Sequence, residues 1–242
     1  MKKELIRKTK RIFAVSDIHG HASILKSALA NSGFIINSPC HLLVICGDCF
    51  DRGTENKEVF EFLIGISNKI IIRGNHEEML INAINRGYIN IADMYNGTEI
   101  TIENLFGTDC IDKWGQISIA EYQRKQILDY LSQTLDYLET QHYVFVHGWV
   151  PVREDWRNAT QEEWSDARWV GWPEMYDKHE IKDKIIVCGH RAAIYAKAID
   201  KARADDDYSP YYGSHFIAID SNTVRSKIIN VLVIEDELLY TV

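Results

Sequence analysis

Cys46-Gly47-Asp48-Cys49-Phe50-Asp51-Arg52-Gly53 puts two carboxylates and a guanidinium into one glycine-bounded loop, directly after the apolar run 42–45. A short β-branched run that stops at glycine reads as a buried strand delivering its loop at its carboxyl end. Two acids and an arginine in one turn pack poorly on a surface. They suit a metal ion and an anion bound side by side.

The same grammar recurs along the chain: a short apolar run, then glycine mixed with Asp, Asn or His. Ile12-Phe13-Ala14-Val15 leads to Ser16-Asp17-Ile18-His19-Gly20, and Ile70-Ile71-Ile72 leads to Arg73-Gly74-Asn75-His76-Glu77. Tyr143-Val144-Phe145-Val146 leads to His147-Gly148, and Ile185-Ile186-Val187-Cys188 to Gly189-His190. The early spacers carry helical patterns. Ile24, Leu25, Ala28 and Leu29 form a stripe closed by Gly33. Thr54 is placed to cap a helix burying Val59, Phe60, Leu63 and Ile64. Asn75, with Glu78 three residues on, is placed to cap one burying Met79, Leu80 and Ile84 and ending at Gly87. Strand–helix alternation of this kind predicts an α/β fold with parallel strands covered by helices.

Residues 88–139 contain no strand-then-glycine unit and read as a mainly helical insertion leaning over one end of the sheet, with a helix over 120–132. Residues 148–184 are rich in Trp and read as irregular, with a short helix over 161–169. From His215 onward, segments 216–220, 227–234 and 238–242 read as short antiparallel strands. The acidic Asp205-Asp206-Asp207 reads as a solvated turn, since a calcium loop needs more ligands at alternating positions. The 242 residues fit one large α/β domain spanning 1–242.

The net charge of −8 argues against a nucleic-acid partner, which usually meets a basic face. An anionic substrate would have to be caught by local positive charge. Five cysteines do not space as a disulfide framework and point to a reducing, cytoplasmic setting. Cys46 and Cys49 form a C-x-x-C without a second pair, so we read them as packing residues. The basic start, Met1 to Lys8, lacks the apolar stretch of a leader or an anchor, and no run has membrane-spanning length.

The five loops bring together Asp17, His19, Asp48, Asn75, His147 and His190. Oxygen donors mixed with imidazoles suit Mn²⁺, Fe²⁺ or Zn²⁺ better than Mg²⁺ or Ca²⁺. That many ligands suggest two divalent ions sharing one carboxylate. Such a pair, about 3.5–4 Å apart, clamps both oxygens of an in-line phosphoryl displacement. Any one of these residues has a plainer explanation: Asp17 as a turn cap, Asn75 as a helix cap, His147 or His190 as a core histidine. Five strand ends sharing the pattern do not. His41 and His179 lie outside such loops and read as structural.

Asp17-Ile18-His19-Gly20, Gly47-Asp48-Cys49-Phe50-Asp51-Arg52-Gly53, Gly74-Asn75-His76-Glu77, His147-Gly148 and Gly189-His190 resemble the motifs of the calcineurin-like metallophosphoesterases. More narrowly they resemble the PPP-type serine/threonine phosphatases and their bacterial and phage relatives. The resemblance implies a four-layer α-β-β-α sandwich with mixed central sheets and two divalent ions, Mn²⁺ foremost with Fe or Zn possible. It implies that Asp17, His19 and Asp48 hold one metal and that Asp48 bridges to a second held by Asn75, His147 and His190. Arg52 would bind phosphate, and His76, oriented by Asp51, would be the general acid. The reaction would be direct attack of a metal-bridging hydroxide on a phosphate monoester, with phosphoserine or phosphothreonine (or phosphotyrosine) on proteins as substrate. A dinucleoside polyphosphate hydrolase, acting on molecules such as diadenosine tetraphosphate, is the alternative. A non-catalytic scaffold of the same fold is a further one, disfavoured because every motif is complete. The family's second phosphate-binding arginine maps to Arg168, with Arg153 and Arg157 as rivals. Trp149 and Arg191 depart from the family's usual residues beside the last two motifs.

Overall fold

The apolar runs that feed the five loops form strands, and they are buried on both faces because they lie in the middle of a layered sandwich. The computed structural model describes residues 5–8, 11–175, 181, 183–199, 206–235 and 238–240. His179, Asp205 and the first four residues of the basic start lie outside the described residues.

The first sheet has the order β10 (Leu232–Glu235), β2 (Arg11–Val15), β3 (His41–Ile45), β4 (Lys69–Ile71). Strands β2, β3 and β4 are parallel, with Val15 opposite Ile45 and Ile45 opposite Ile71, and β10 closes the edge antiparallel to β2. The second sheet has the order β5 (Leu138–Glu139), β6 (Tyr143–Phe145), β7 (Ile185–Cys188), β9 (Phe216–Ala218), β8 (Tyr211–Tyr212). Here β6, β7 and β9 are parallel and the two edge strands antiparallel. A two-stranded ribbon pairs β1 (Leu5–Lys8) with β11 (Leu238–Tyr240).

Side-chain alternation sorts these strands into layers. Ile12, Ala14, Leu42 and Val44 from the first sheet meet Phe145, Val187 and Ile217 from the second in a shared inner core. Phe13, Val15, Leu43 and Ile45 face outward onto α1 (Ala22–Asn31), α2 (Asn56–Ile64), α3 (Asn75–Arg86), α5 (Thr98–Phe106) and α6 (Glu121–Ser132). Val144, Ile186, Cys188 and Phe216 face the other way, onto α7 (Gln161–Trp169), α8 (Trp172–Met175), α9 (Ala193–Ile199) and a cluster containing Trp149, Trp156, Trp164 and Trp172. The result is the expected four-layer α-β-β-α sandwich with two mixed sheets.

Several features differ from the sequence reading, and α2 is one: it starts after Glu55, with no cap from Thr54, and Ile64 is exposed. The C-terminal strands do not pair with one another: β9 joins the second sheet, β10 the first, and β11 the ribbon. The insertion, with α4 (Ile91–Asn96), α5 and α6, lies on the outer face of the first sheet, where Ile102, Ile127 and Leu131 enter its core. It ends by bridging Leu135 to Ile72, so the chain passes from one sheet to the next. The cap of α3 lies one residue earlier than read. Gly74 precedes the helix, Glu77 reaches back to its backbone N–H at 2.8 Å, and the Asn75 side chain is free for other use. The remaining short helix, α10 (Thr223–Ser226), lies between β9 and β10.

Candidate active site

The loops after β2, β3 and β4 come from one sheet and those after β6 and β7 from the other, and they meet at one edge of the sandwich. Asp17, His19, Asp48, Asp51, Arg52 and His190 all hold positive φ, between 47° and 70°. Each non-glycine residue in this region costs about 1 kcal/mol, and such strain collects at functional sites. Hydrogen bonds hold the strained turns. Asp17, His19 and Gly20 donate their backbone N–H to the carbonyls of Gly47, Asp48 and Cys49, which zips the first loop to the second. Glu77, buried at 0% exposure, accepts from the backbone N–H of Asp48 at 2.8 Å and of Cys49 at 2.7 Å. The loops are so close that a Cβ on Gly47 would lie 2.5 Å from Nδ1 of His147, and one on Gly74 2.1 Å from Oδ1 of Asp48.

Asp48 faces two groups of donors at once. Its Oδ2 lies 3.7 Å from Nε2 of His19 and 3.9 Å from Nε2 of His76; its Oδ1 lies 3.4 Å from Nε2 of His147. His19, Asp48 and His76 offer ligand atoms within 4.8 Å of one another, and so do Asp48, His147 and His190. The amide oxygen of Asn75 lies 2.8 Å from Nε2 of His147 and 3.1 Å from Nδ1 of His190. Asp17 lies 3.8 Å from Nε2 of His19 and accepts from Ser16 and from the backbone N–H of His190.

The imidazoles are oriented from behind. Nδ1 of His19 is 3.0 Å from the Phe50 carbonyl, Nδ1 of His147 is 2.8 Å from the Cys46 carbonyl, and Nε2 of His190 is 3.0 Å from the Trp169 carbonyl. Each anchored nitrogen donates, so the other faces the pocket and offers its lone pair there when the ring is neutral, as metal-binding histidines do. His76 is held differently: its Nδ1 donates to Asp51 Oδ2 at 2.7 Å.

The electrostatics agree with a cation site. Burial acts to raise Asp48, but His147 and His76 outweigh it and hold the carboxyl well below the usual range. Burial and the nearby charge of Asp48 push Asp17 up to about 6, against the pull of His147. Burial lowers His19 and His190 to about 3 each, leaving them neutral. Burial would lower His147 too, but Asp48 raises it to about 9. The proton on His147 thus supplies the counter-charge that a cation would supply. Three imidazoles, one amide oxygen and two carboxylates, one of them the shared Asp48, fit two divalent ions.

Arg52 is exposed, with its two terminal nitrogens 3.3 and 3.2 Å from Nε2 of His19 and of His76. Arg168 does not present a free fork. It is 4% exposed, one terminal nitrogen donates to Glu78 at 2.8 Å, and the other donates to Asp136. It ties α7 to α3 instead. Arg153 engages Glu163, and Arg157 engages Glu139. Trp149 turns into the second sheet's outer core, 5.8 Å from Phe216, while Arg191 stays half-exposed and pairs with Glu174. Cys46 and Cys49 are free, buried thiols, and burial raises both.

Residues 10–218 match the family model described as calcineurin-like phosphoesterase. The chain belongs to the calcineurin-like phosphoesterases. Over 74 residues, 31% of the chain, it is 39% identical to serine/threonine-protein phosphatase 2 of Salmonella typhimurium; the match spans 33% of that relative's length. Among solved structures, one described as a "putative diadenosine tetraphosphatase" superposes with a TM-score of 0.58 at 16% identity, covering 93% of each chain. A cold-active protein tyrosine phosphatase superposes at 0.56 with 17% identity, covering 94% of this chain and 74% of that one. At these identities the structures establish the shared fold.

Several groups of this phosphoesterase's site were not read from sequence: Glu77 under the Asp48 loop, Asn56 under Asp51 at 3.0 Å, the Trp169 carbonyl behind His190, and Thr98 and Thr101 beside Asp51. Glu77 alone carried a signal, as an acid in the first turn of a helix.

Proposed function

We propose that this phosphoesterase is a metal-dependent phosphatase of phosphate monoesters, with phosphoserine or phosphothreonine on proteins as its substrate class. The observation that carries this reading is Asp48, whose two oxygens face two ligand groups beside both the His76–Asp51 pair and Arg52. One cation would be held by Asp17, His19 and Asp48, and a second by Asp48, Asn75, His147 and His190. When bound, such a pair supplies positive charge for the phosphoryl oxygens and lowers the pKa of water so that it attacks near neutral pH.

The chain's own groups do the rest. Arg52, exposed at the pocket mouth beside His19 and His76, forks onto two phosphate oxygens. Hydrolysis breaks the bond between phosphorus and the ester oxygen, and the departing oxygen takes its proton from Nε2 of His76. Burial works against a charged His76, but Asp48 and the hydrogen bond to Asp51 raise its pKa above the ordinary value, which favours the protonated ring that this role needs. The protein-phosphatase substrate class is supported by the relative named serine/threonine-protein phosphatase 2.

The test is hydrolysis of 4-nitrophenyl phosphate by protein loaded with Mn²⁺, against chelated protein. Turnover that requires the metal is expected; none with Mn²⁺, Fe²⁺ or Zn²⁺ would overturn the reading. A phosphoserine peptide assayed beside diadenosine tetraphosphate then decides the substrate class, and preference for the dinucleotide would replace the phosphoprotein assignment.

A further inference from the structure

Asp51 sits at 0% exposure, and helix α5 of the insertion supplies most of what its carboxylate touches. Oδ2 accepts from Nδ1 of His76 at 2.7 Å and from the Thr98 hydroxyl at 2.8 Å. Oδ1 accepts from the Thr101 hydroxyl at 2.6 Å. The Thr101 hydroxyl in turn accepts from the backbone N–H of Asp51 at 2.9 Å, closing a ring around the residue. Thr98 and Thr101 are themselves 0% exposed.

A helical threonine commonly turns its hydroxyl back onto the carbonyl four residues earlier. In Thr101 that contact, to Gly97, stretches to 3.5 Å, while the bond to the carboxylate is short. The helix start is also pressed onto the catalytic turn. Gly97 holds φ +90°, and a Cβ there would lie 2.6 Å from the backbone nitrogen of Arg52. The insertion thus seats directly on the turn that carries Asp51 and Arg52.

We infer that Thr98 and Thr101 are positioning residues for proton transfer. With both hydroxyls donating to it, the Asp51 carboxylate is fixed in plane and position. The His76 ring then has one orientation, Nδ1–H on Asp51 and Nε2 toward the departing oxygen. A hydroxyl bonded merely to satisfy itself would stabilise the fold and affect every substrate alike. A positioning hydroxyl acts through the proton that His76 gives up, so its loss is felt most where the leaving oxygen needs that proton. The inference rests on the proposed phosphatase reading and on His76 as the acid.

The experiment compares phenyl phosphate, whose leaving phenol has a tyrosine-like pKa of about 10, with 4-nitrophenyl phosphate, whose leaving group departs without help. Thr98→Val and Thr101→Val keep the side-chain shape and remove the hydroxyl. In the metal-loaded protein the double variant should lose roughly tenfold or more in kcat on phenyl phosphate and about threefold or less on 4-nitrophenyl phosphate. Thr101→Ser should restore the phenyl phosphate rate. In a His76→Asn background the valine changes should have no further effect. Equal losses on both esters, no loss on phenyl phosphate, or a further loss without His76 would each overturn the inference. Should the double variant fail to fold, Thr98→Val alone, which leaves the Thr101 ring intact, carries the same comparison. A wild-type protein that hydrolyses neither ester sinks the phosphatase reading itself, which the variants alone cannot do.

Discussion

Four histidines crowd the site, and what stands behind each ring divides their work. His19, His147 and His190 lean on backbone carbonyls, which fix the ring and turn its other nitrogen toward the pocket. His76 leans on a carboxylate, which favours a ring that carries a proton to give away. His76→Asn should therefore cut kcat about 10²–10⁴-fold while bound metal per chain stays unchanged. Nε2 of His76 lies in one of the two ligand groups, so elemental analysis of the variant is a sharp check. Loss of metal would make His76 a ligand instead of the acid. The nine residues that gather here, from Asp17 to His190, were legible in the sequence because each follows a strand and neighbours a glycine or another site residue. The pairing of Arg168 was not legible, for a physical reason. Its Glu78 and Asp136 partners come from distant segments, and nothing local announces an ion pair.

At the scale of the element, α3 is the piece on which the site turns. It starts with Asn75 and His76 facing the pocket, and its third residue, Glu77, props up the neighbouring loop through two backbone N–H groups, those of Asp48 and Cys49, and caps its own helix through that of Gly74. Replacing one buried acceptor oxygen by an amide N–H₂ sets donor against donor, at about 1–3 kcal/mol for each group left unpaired. Glu77→Gln should lower the urea midpoint accordingly and weaken metal binding, since the loop it holds carries Asp48. A metal titration together with chemical denaturation checks both; an unchanged midpoint would count against the prop. Arg168→Met should lower stability by about 1–3 kcal/mol, because it leaves the part-buried carboxylates of Glu78 and Asp136 without the hydrogen bonds of this cation. Its KM for 4-nitrophenyl phosphate should stay near wild type, and a large rise in KM would return Arg168 to the phosphate. The insertion shows the limit of reading elements in isolation. Its helices follow from local pattern, but its seat on Asp51 depends on Thr98 and Thr101, some fifty residues away from their partner. Helical periodicity says nothing about which distant loop a buried hydroxyl will meet.

Over the whole molecule, two sheets share one inner core, and each brings part of the site. Removing metal leaves the repulsion between Asp17 and Asp48 to protons alone, so chelated protein should melt lower than Mn²⁺-loaded protein. An ion held at a hundred times its Kd adds about 2.7 kcal/mol. Calorimetry with and without chelator measures the difference. His41, read as structural, gives a second global test. It is 8% exposed, and its Nδ1 accepts from the backbone N–H of Ile35 at 3.0 Å. Burial, and then the charge of Arg11, holds its pKa below the ordinary 6.5. The unfolded chain therefore takes up a proton that the folded one refuses. Stability present above pH 6.5 should fall as the pH drops below it. The urea midpoint of His41→Gln should fall less steeply than wild type across that window. Parallel strands covered on both faces were readable from their apolar runs, and the four-layer sandwich from the family resemblance. The partners of the last strands were not, since edge pairing depends on which sheet a returning chain meets. Among the described residues no helix is long and apolar enough to cross a membrane.

The two-sided Asp48 has a consequence for how the protein acquires its ions. Synthesis proceeds from the N-terminus, so Asp17, His19, Asp48 and Asn75 exist well before His147 and His190. Until the second sheet docks, an ion caught by the early residues sits in an open cradle and exchanges with its surroundings. Docking closes the cradle from the far side. A complete set of candidate ligands therefore exists only once the two sheets have met, so metal capture and docking of the sheets should be coupled.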